Sequence, residues 1–448
     1  MRRIFGFSIG AVVLALGACA AAGDEPGESA PPPTVDGGDA SAFPADGVDA
    51  APDVVQDADT FSPTCSPGGW CTTRILSETA FTFTDVWPLE KSAFATGFPT
   101  GRTVDGTIVE YDGEAWRPLA RLSNARTVWA PSEDEVWAGG DSNAGGALKR
   151  GVRSDGTWTW SNVLPAEKHI SNIWGSGPND VYVVAVDAWT GNPDDCVNCS
   201  QRVYHLGASG TPSLVLEGDA LSGPWGRHAP EGPTGLWIDR VVGTSSNDVW
   251  IVGHRGWCAY LALKTAASFV TLADATPGDW PALASDGGIA SPCTPVEEAH
   301  AWSGFFFRDW VQAASSAPGE IVIALPADYE RKYRGVHRVK STPGDGLVIT
   351  AGATLAELTS AVGSGNGNPH QLRRPTAIWS PSAGDVYVAG FGAILRNPAS
   401  FDDASTFSYS SVALDGSALD KQFFAIRGTA PKNVWVVGES YALHKTTP

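Results

Sequence analysis

The chain has 448 residues, with 30 Lys and Arg against 49 Asp and Glu, for a net charge of −19. That balance excludes binding to nucleic acid phosphates by bulk electrostatics. With 51 Gly, 32 Pro and 18 Trp but one Met, the composition suits many short strands joined by turns and disfavours a helix bundle.

Residues 1–18 read as an export signal. Arg2 and Arg3 precede an apolar stretch from Ile4 to Leu16, followed by LGAC at Leu16–Cys19. LGAC resembles a bacterial lipobox, which implies cleavage before Cys19 and a lipid on its thiol. Ala20 follows the cysteine, which by analogy with lipoprotein sorting implies the outer membrane or cell surface. The alternative is an ordinary secretory signal cut nearby. Residues 19–64 read as a tether, because the stretch from Asp24 to Phe61 holds ten acidic residues, no Lys or Arg, and abundant Pro, Gly and Ala. Such a sequence buries too little apolar surface to offset its ordering entropy. Its aspartates lack the Gly and the closing Glu of a calcium loop. Residues 65–448 keep a net charge of −11.

Six cysteines remain: Cys65, Cys71, Cys196, Cys199, Cys258 and Cys293. An even number in an exported chain implies disulfides, and pairing neighbours gives Cys65–Cys71, Cys196–Cys199 and Cys258–Cys293. CVNC at 196–199 also fits a redox or metal motif, but without a second CxxC or a thioredoxin-like context.

One phrase recurs seven times. Aligned on the central residue of a β-branched run, the copies fall at Phe94, Trp137, Tyr182, Trp250, Val322, Tyr387 and Trp435, spaced by 43, 45, 68, 72, 65 and 48 residues. Periods of this size, with four short strands each, predict an all-β, seven-bladed β-propeller. In each copy an apolar first strand leads into a tight turn, whose Asp is expected to accept the turn's backbone N–H groups. A second strand such as VWVVG follows, ending at Gly. Third strands are TIVEY, RVYHL, GVHRV and YALHK, and fourth strands carry Trp after Gly, as in DGTWTW. The last copy ends after its third strand. The segment 67–76, PGGWCTTRIL, reads as the missing fourth strand, so the N-terminal strand is expected to complete the last blade and close the ring.

The phrases IWGSGPNDVYVV, VVGTSSNDVWIVG and IRGTAPKNVWVVG resemble the IWGxxxxDVWAVG repeats of predicted β-propeller lipoproteins from Gram-negative bacteria. Those are in turn loosely similar to Kelch, tectonin-like and sialidase-like propellers. The resemblance covers about residues 67–448, implies the fold, and carries over no catalytic residue.

The sequence holds no HExxH, P-loop, GxSxG or EF-hand pattern, and no cofactor or catalytic residue is assigned. His205, His337 and His444 align at third-strand positions where other blades offer Glu110, Lys149 or Arg396. That mixture predicts an exposed strand face and no metal. The one basic stretch, YERKYRGVHRVK at 329–340, reads as a solvated strand and loop, or as an attractor for anionic glycan. Long insertions fall between second and third strands and between blades, at 187–201, 221–235, 324–335 and 363–377. Both loop classes open on one face of a propeller, where ligands bind. Trp189, Trp225, Arg227, His228, Tyr333 and Arg373 are the ligand-binding candidates: aromatics to stack on sugar or peptide, cations for anionic groups. Residues 265–300 have no assigned place.

The function expected is that of a surface-tethered, monomeric, non-catalytic propeller binding a glycan or a protein through this face. An extracellular polysaccharide hydrolase or lyase on the same scaffold, and a structural subunit of an envelope complex, are the alternatives.

Overall fold

Each repeat begins with a run such as HISNIWGSG, whose Ile and Trp face both sides of the strand; only a strand covered on both sides tolerates that. In the computed structural model these runs are the innermost strands of seven sheets. It describes residues 61–76, 80–102, 106–141, 147–164, 169–187, 200–218, 235–255, 258–265, 268–277, 293–295, 312–325, 335–342, 346–354, 375–397, 408–414, 417–419 and 421–446.

From the inside outward, blade 1 consists of Phe81–Pro88, Ala93–Pro99, Thr107–Tyr111 and Ala115–Arg121. Blade 2 consists of Thr127–Ser132, Glu135–Gly139, Leu148–Ser154 and Thr157–Asn162. Blade 3 consists of His169–Gly177, Asp180–Val186, Gln201–Gly207 and Pro212–Glu217. Blade 4 consists of Leu236–Ser245, Asp248–Arg255, Cys258–Thr265 and Ser268–Pro277, with Cys293–Pro295 added outside. Residues 268–277 and 293–295, which the sequence left unplaced, are therefore the outer edge of this blade. Blade 5 consists of Gln312–Ala317, Glu320–Leu325, Gly335–Thr342 and Gly346–Thr354. Blade 6 consists of Ala377–Ser382, Asp385–Ala389, Ala393–Asn397 and Ser408–Ser411. Blade 7 has only three strands of its own, Phe423–Ala430, Asn433–Gly438 and Tyr441–Lys445.

The fourth strand of blade 7 is Trp70–Thr72, paired antiparallel with Trp70 opposite Lys445. Every innermost strand packs against its neighbours around the ring, and Phe423–Ala430 packs against Phe81–Pro88. The protein is thus a seven-bladed, all-β propeller closed by its N-terminal strand. The closing segment does more than the sequence implies. Arg74–Ile75 continues past blade 7 and pairs in parallel with Ala115–Trp116 on the outer strand of blade 1. Between the two pairings, Thr73 donates from N and Oγ1 to Ala442 O, at 3.1 and 2.8 Å, and Trp116 Nε1 donates to Thr73 Oγ1 at 2.9 Å. A disulfide between Cys65 and Cys71 ties the start of the segment.

The cores lie between blades. The Trp of each IWG-type phrase reaches toward the glycine of the next copy: a Cβ on Gly175 would stand 2.7 Å from Trp129 of blade 2, one on Gly243 2.7 Å from Trp174, and one on Gly428 2.5 Å from Trp379. Where blades 4 and 5 carry Val242 and Ala314 at the Trp position, the following blades carry Ser315 and Ser380 in place of the glycine. Bulk on one side of the junction is matched by its absence on the other, as close packing requires.

Replacing Gly175 by Ala is therefore expected to cost about 1–3 kcal/mol through overpacking. The same change at Gly177, whose Cβ would meet nothing within 4 Å, is expected to cost about 1 kcal/mol or less. Urea midpoints of the two variants check the difference.

Candidate functional site

The innermost strands are less apolar near the axis than their sequences imply. Each of those in blades 1, 3, 4 and 7 carries a β-bulge at the same place, and the residue after the bulge is Asp85, Asn172, Arg240 or Ala425. The matching residues in blades 2 and 5 are Thr127 and Gln312. A bulge re-aims side chains and frees backbone groups, and here the re-aimed polar groups hold neighbouring blades together. Asp85 accepts from Val128 N and Thr127 Oγ1, each at 3.2 Å, and from its own neighbour Val86 N at 2.9 Å. Asn172 Oδ1 accepts from Val241 N at 2.7 Å. Arg240 donates to Gln312 Oε1 at 2.9 Å.

Around these residues, on the face where innermost strands begin, lie two enclosed His–Asp pairs. His169 Nδ1 lies 2.5 Å from Asp141 Oδ1, and Asn124 Nδ2 donates to Asp141 Oδ2 at 2.7 Å. His254 Nδ1 lies 2.8 Å from Asp239 Oδ2, with both side chains 5 % exposed or less. Burial pushes the His169 imidazole down, against the stabilising carboxylate of Asp141. Arg126 stands near Asp141, and burial lowers its guanidinium while Asp141 raises it. Asp85, Asp141 and Asp239 are thus each held by a partner within the protein.

On the second and third strands a different array repeats. The residues opposite the seven aligned second-strand positions are Glu110, Arg150, His205, Leu263, Arg338, Arg396 and His444. The sequence alignment was one residue off in two blades: Arg150 and not Lys149, Arg338 and not His337, occupy the position. Nor is this an exposed face. In blades 2, 3, 6 and 7 an Arg or His stacks on the aromatic ring and pairs with the acid or amide two residues before that ring. Arg150 lies 5.1 Å from the Trp137 ring centroid and 2.9 Å from Glu135; Arg396 lies 5.0 Å from that of Tyr387 and 3.2 Å from Asp385. His205 stacks on Tyr182 at 4.6 Å and bonds Asp180 at 2.7 Å, and His444 stacks on Trp435 at 4.0 Å and bonds Asn433 at 2.9 Å. Arg338 meets Glu320 at 3.1 Å. The acid of the repeated phrase was expected to accept its turn's backbone N–H groups; in blades 3, 4 and 5 it accepts instead from a turn hydroxyl, that of Ser176, Thr244 or Ser316, and in blades 2, 3, 5 and 6 it also holds the third-strand cation. In blade 4, where Leu263 replaces the cation, Asp248 accepts from Gly319 N of blade 5 at 2.8 Å.

None of the six ligand-binding candidates, Trp189, Trp225, Arg227, His228, Tyr333 and Arg373, lies among the described residues, and the same holds for Cys19, Cys196 and Cys199. Cys258 is disulfide-bonded, and the backbone of Cys293 pairs with Pro277. Among the described residues no group of three or more His, Cys, Asp or Glu is arranged for a metal. Sequence reasoning passed over the axis. Its one signal was in plain view: IRGTAPKNVWVVG carries Arg427 where the matching phrases of blades 1, 2, 3 and 6 carry Trp87, Trp129, Trp174 and Trp379.

No protein-family model matches the sequence. No curated protein matches it either. Among solved structures, the chain is similar to YCF48 bound to D1 peptide, at 13% identity and TM-score 0.47, over 86% of this chain and 99% of that one. It is similar to U3-55K at 9% identity and TM-score 0.48, over 84% and 98%. It is similar to a PL25 ulvan lyase bound to its sugar at 12% identity and TM-score 0.44, over 86% and 94%. These are propellers, and at such identities the likeness concerns the fold alone.

Burial holds the His444 imidazole down at about 4, against an ordinary 6.5. Between those values the unfolded chain takes up a proton that the folded one refuses, so stability falls as pH drops from about 6.5 toward 4. His444→Gln keeps a donor for Asn433 and is expected to flatten that part of the stability–pH curve, measured by urea midpoints at half-unit pH steps.

Proposed function

We propose that the protein is a lipid-anchored, monomeric binding module of the outer membrane or cell surface, which recognises a glycan or a protein through the loop-rich face of its propeller. The observation that carries this reading is the strand order. The chain leaves the described strands at Asp187, Gly218, Leu325 and Thr354 and re-enters at Ser200, Gly235, Gly335 and Pro375, and all of these ends lie on the face where innermost strands begin. Below them, the ring is held by paired groups: acid with cation, tryptophan with glycine, bulge residue with neighbouring backbone. A rigid ring under long connections is a preorganised platform, and preorganisation lowers the ordering cost of binding. Trp189, Trp225, Arg227, His228, Tyr333 and Arg373 are the residues assigned to the contact, with a signal peptide at 1–18, a tether at 19–64 and a lipid on Cys19.

Two experiments test this. The full mature chain is run on a glycan array and in pull-downs from intact cells. A ligand is expected in one of them, with binding reduced at least tenfold by Trp225→Ala together with Arg227→Ala; two empty screens overturn the reading. Separately, the wild-type chain is expected to incorporate labelled fatty acid and sediment with membranes, whereas Cys19→Ser does neither. Equal labelling of both removes the anchor.

A further inference from the structure

Closure of the ring rests on a short strand. Trp70–Thr72 meets blade 7 over three residue pairs, Trp70 with Lys445, Cys71 with His444 and Thr72 with Leu443. Its other edge is covered by the chain itself. The backbone doubles back at residues 66–69, so that Thr64 and Cys65 run alongside as an outermost arm. Thr72 N donates to Thr64 O at 2.9 Å, Thr64 N to Thr72 Oγ1 at 3.0 Å, and Ser66 N to Trp70 O at 2.8 Å. A hairpin this small is marginal when left to hydrogen bonds. Cys65 stands opposite Cys71 across it, and their disulfide cross-links the two arms.

The clasp is sealed on its apolar side and open on its sulfur side. Trp70 is buried against blades 6 and 7, with Lys445 Nζ 5.7 Å from its ring centroid. A Cβ on Gly68 would stand 3.2 Å from Ser410 Oγ of blade 6. Cys65, by contrast, is exposed and Cys71 half-buried. Cys258 is also disulfide-bonded but is 0% exposed. Thiol–disulfide exchange requires a thiolate to reach a sulfur, so a reductant in solution meets the clasp pair before it meets Cys258.

We propose that the Cys65–Cys71 disulfide is a redox latch of the ring, which a dithiol opens by attack on Cys65 to loosen the junction of blades 7 and 1. The attacking thiolate bonds to Cys65 Sγ as the S–S bond breaks, and Cys71 leaves as a thiolate that takes up a proton. The second thiol of the reductant, on losing its proton, displaces Cys65 Sγ from the mixed disulfide. Two electrons pass from the dithiol to the protein, which ends with two thiols while the reductant ends as a cyclic disulfide. The arm is then held by hydrogen bonds alone. Whenever the clasp lifts, the edges of blade 7 and blade 1 that it covers are laid open. The latch is independent of what the rim loops bind.

The test treats the full chain with dithiothreitol, follows free thiols by alkylation and peptide mass mapping, and follows amide hydrogen exchange in parallel. Cys65 and Cys71 are expected to be alkylated at a dithiol concentration at least tenfold below the one that frees Cys258. Over that range the Thr73 amide, bonded to Ala442 O at 3.1 Å, is expected to exchange at least tenfold faster. The Gly218 amide, bonded to Gln201 O at 2.7 Å at the end of blade 3, is expected to keep its rate. Cys65→Ser with Cys71→Ser is expected to show the fast Thr73 exchange without any dithiol. Release of Cys258 together with the clasp pair, or equal acceleration of both amides, overturns the latch. So does a slow Thr73 amide in the reduced chain or in the folded double variant. Should the double variant fail to fold, the wild-type titration decides alone.

Discussion

A tryptophan seated against a glycine of the next blade is the contact on which this ring depends. A propeller sheet is covered on both faces by neighbouring sheets, so a mismatch in one junction is passed to the next and the circle fails to close. Trp129 against Gly175, Trp174 against Gly243 and Trp379 against Gly428 set the separation of those blades. Smaller residues meet where Val242 and Ala314 replace Trp. The repeated phrase is thus a packing device, in which the bulky residue and its socket are written side by side but serve different junctions. That is the physical reason for repeating IWG as a unit.

Closure then falls to the N-terminal segment. A ring made only of in-order blades would leave open edges at blades 1 and 7, where unpaired backbone groups invite association with other chains. Trp70–Thr72 covers the edge of blade 7 and Arg74–Ile75 the outer strand of blade 1, with Thr73 bonded to both sides through Ala442 and Trp116. Trp70 is 1% exposed and packs with residues of blades 6 and 7. The clasp therefore joins the ring across the very junction where the chain would otherwise part, and the Cys65–Cys71 disulfide fixes its approach.

Polar groups are arranged in two layers around this frame. On the second and third strands of blades 2, 3, 6 and 7, an acid or amide, an Arg or His and an aromatic ring form a repeated set, as in Glu135, Arg150 and Trp137. Near the axis, bulge residues reach across junctions to backbone groups, and His–Asp pairs brace the openings of blades 3 and 4.

The sequence by itself determined the number of blades, the second-strand registers and the clasp. One strand–turn–strand phrase repeated seven times, and a final copy missing one strand, admit few other solutions. It did not determine the parallel pairing of Arg74–Ile75, which is two residues long and has no period to read. Nor did it determine the third-strand register in blades 2 and 5, where neighbouring polar residues, Lys149 and Arg150 or His337 and Arg338, compete for one position and only the strand pairing selects between them. The axis was out of reach for the same reason. The partners of Asp85, Asn172 and Arg240 lie 43, 69 and 72 residues further along the chain, and nothing local marks them as neighbours until the innermost strands converge. Repetition is a local property that sequence records, whereas convergence on an axis belongs to the closed ring.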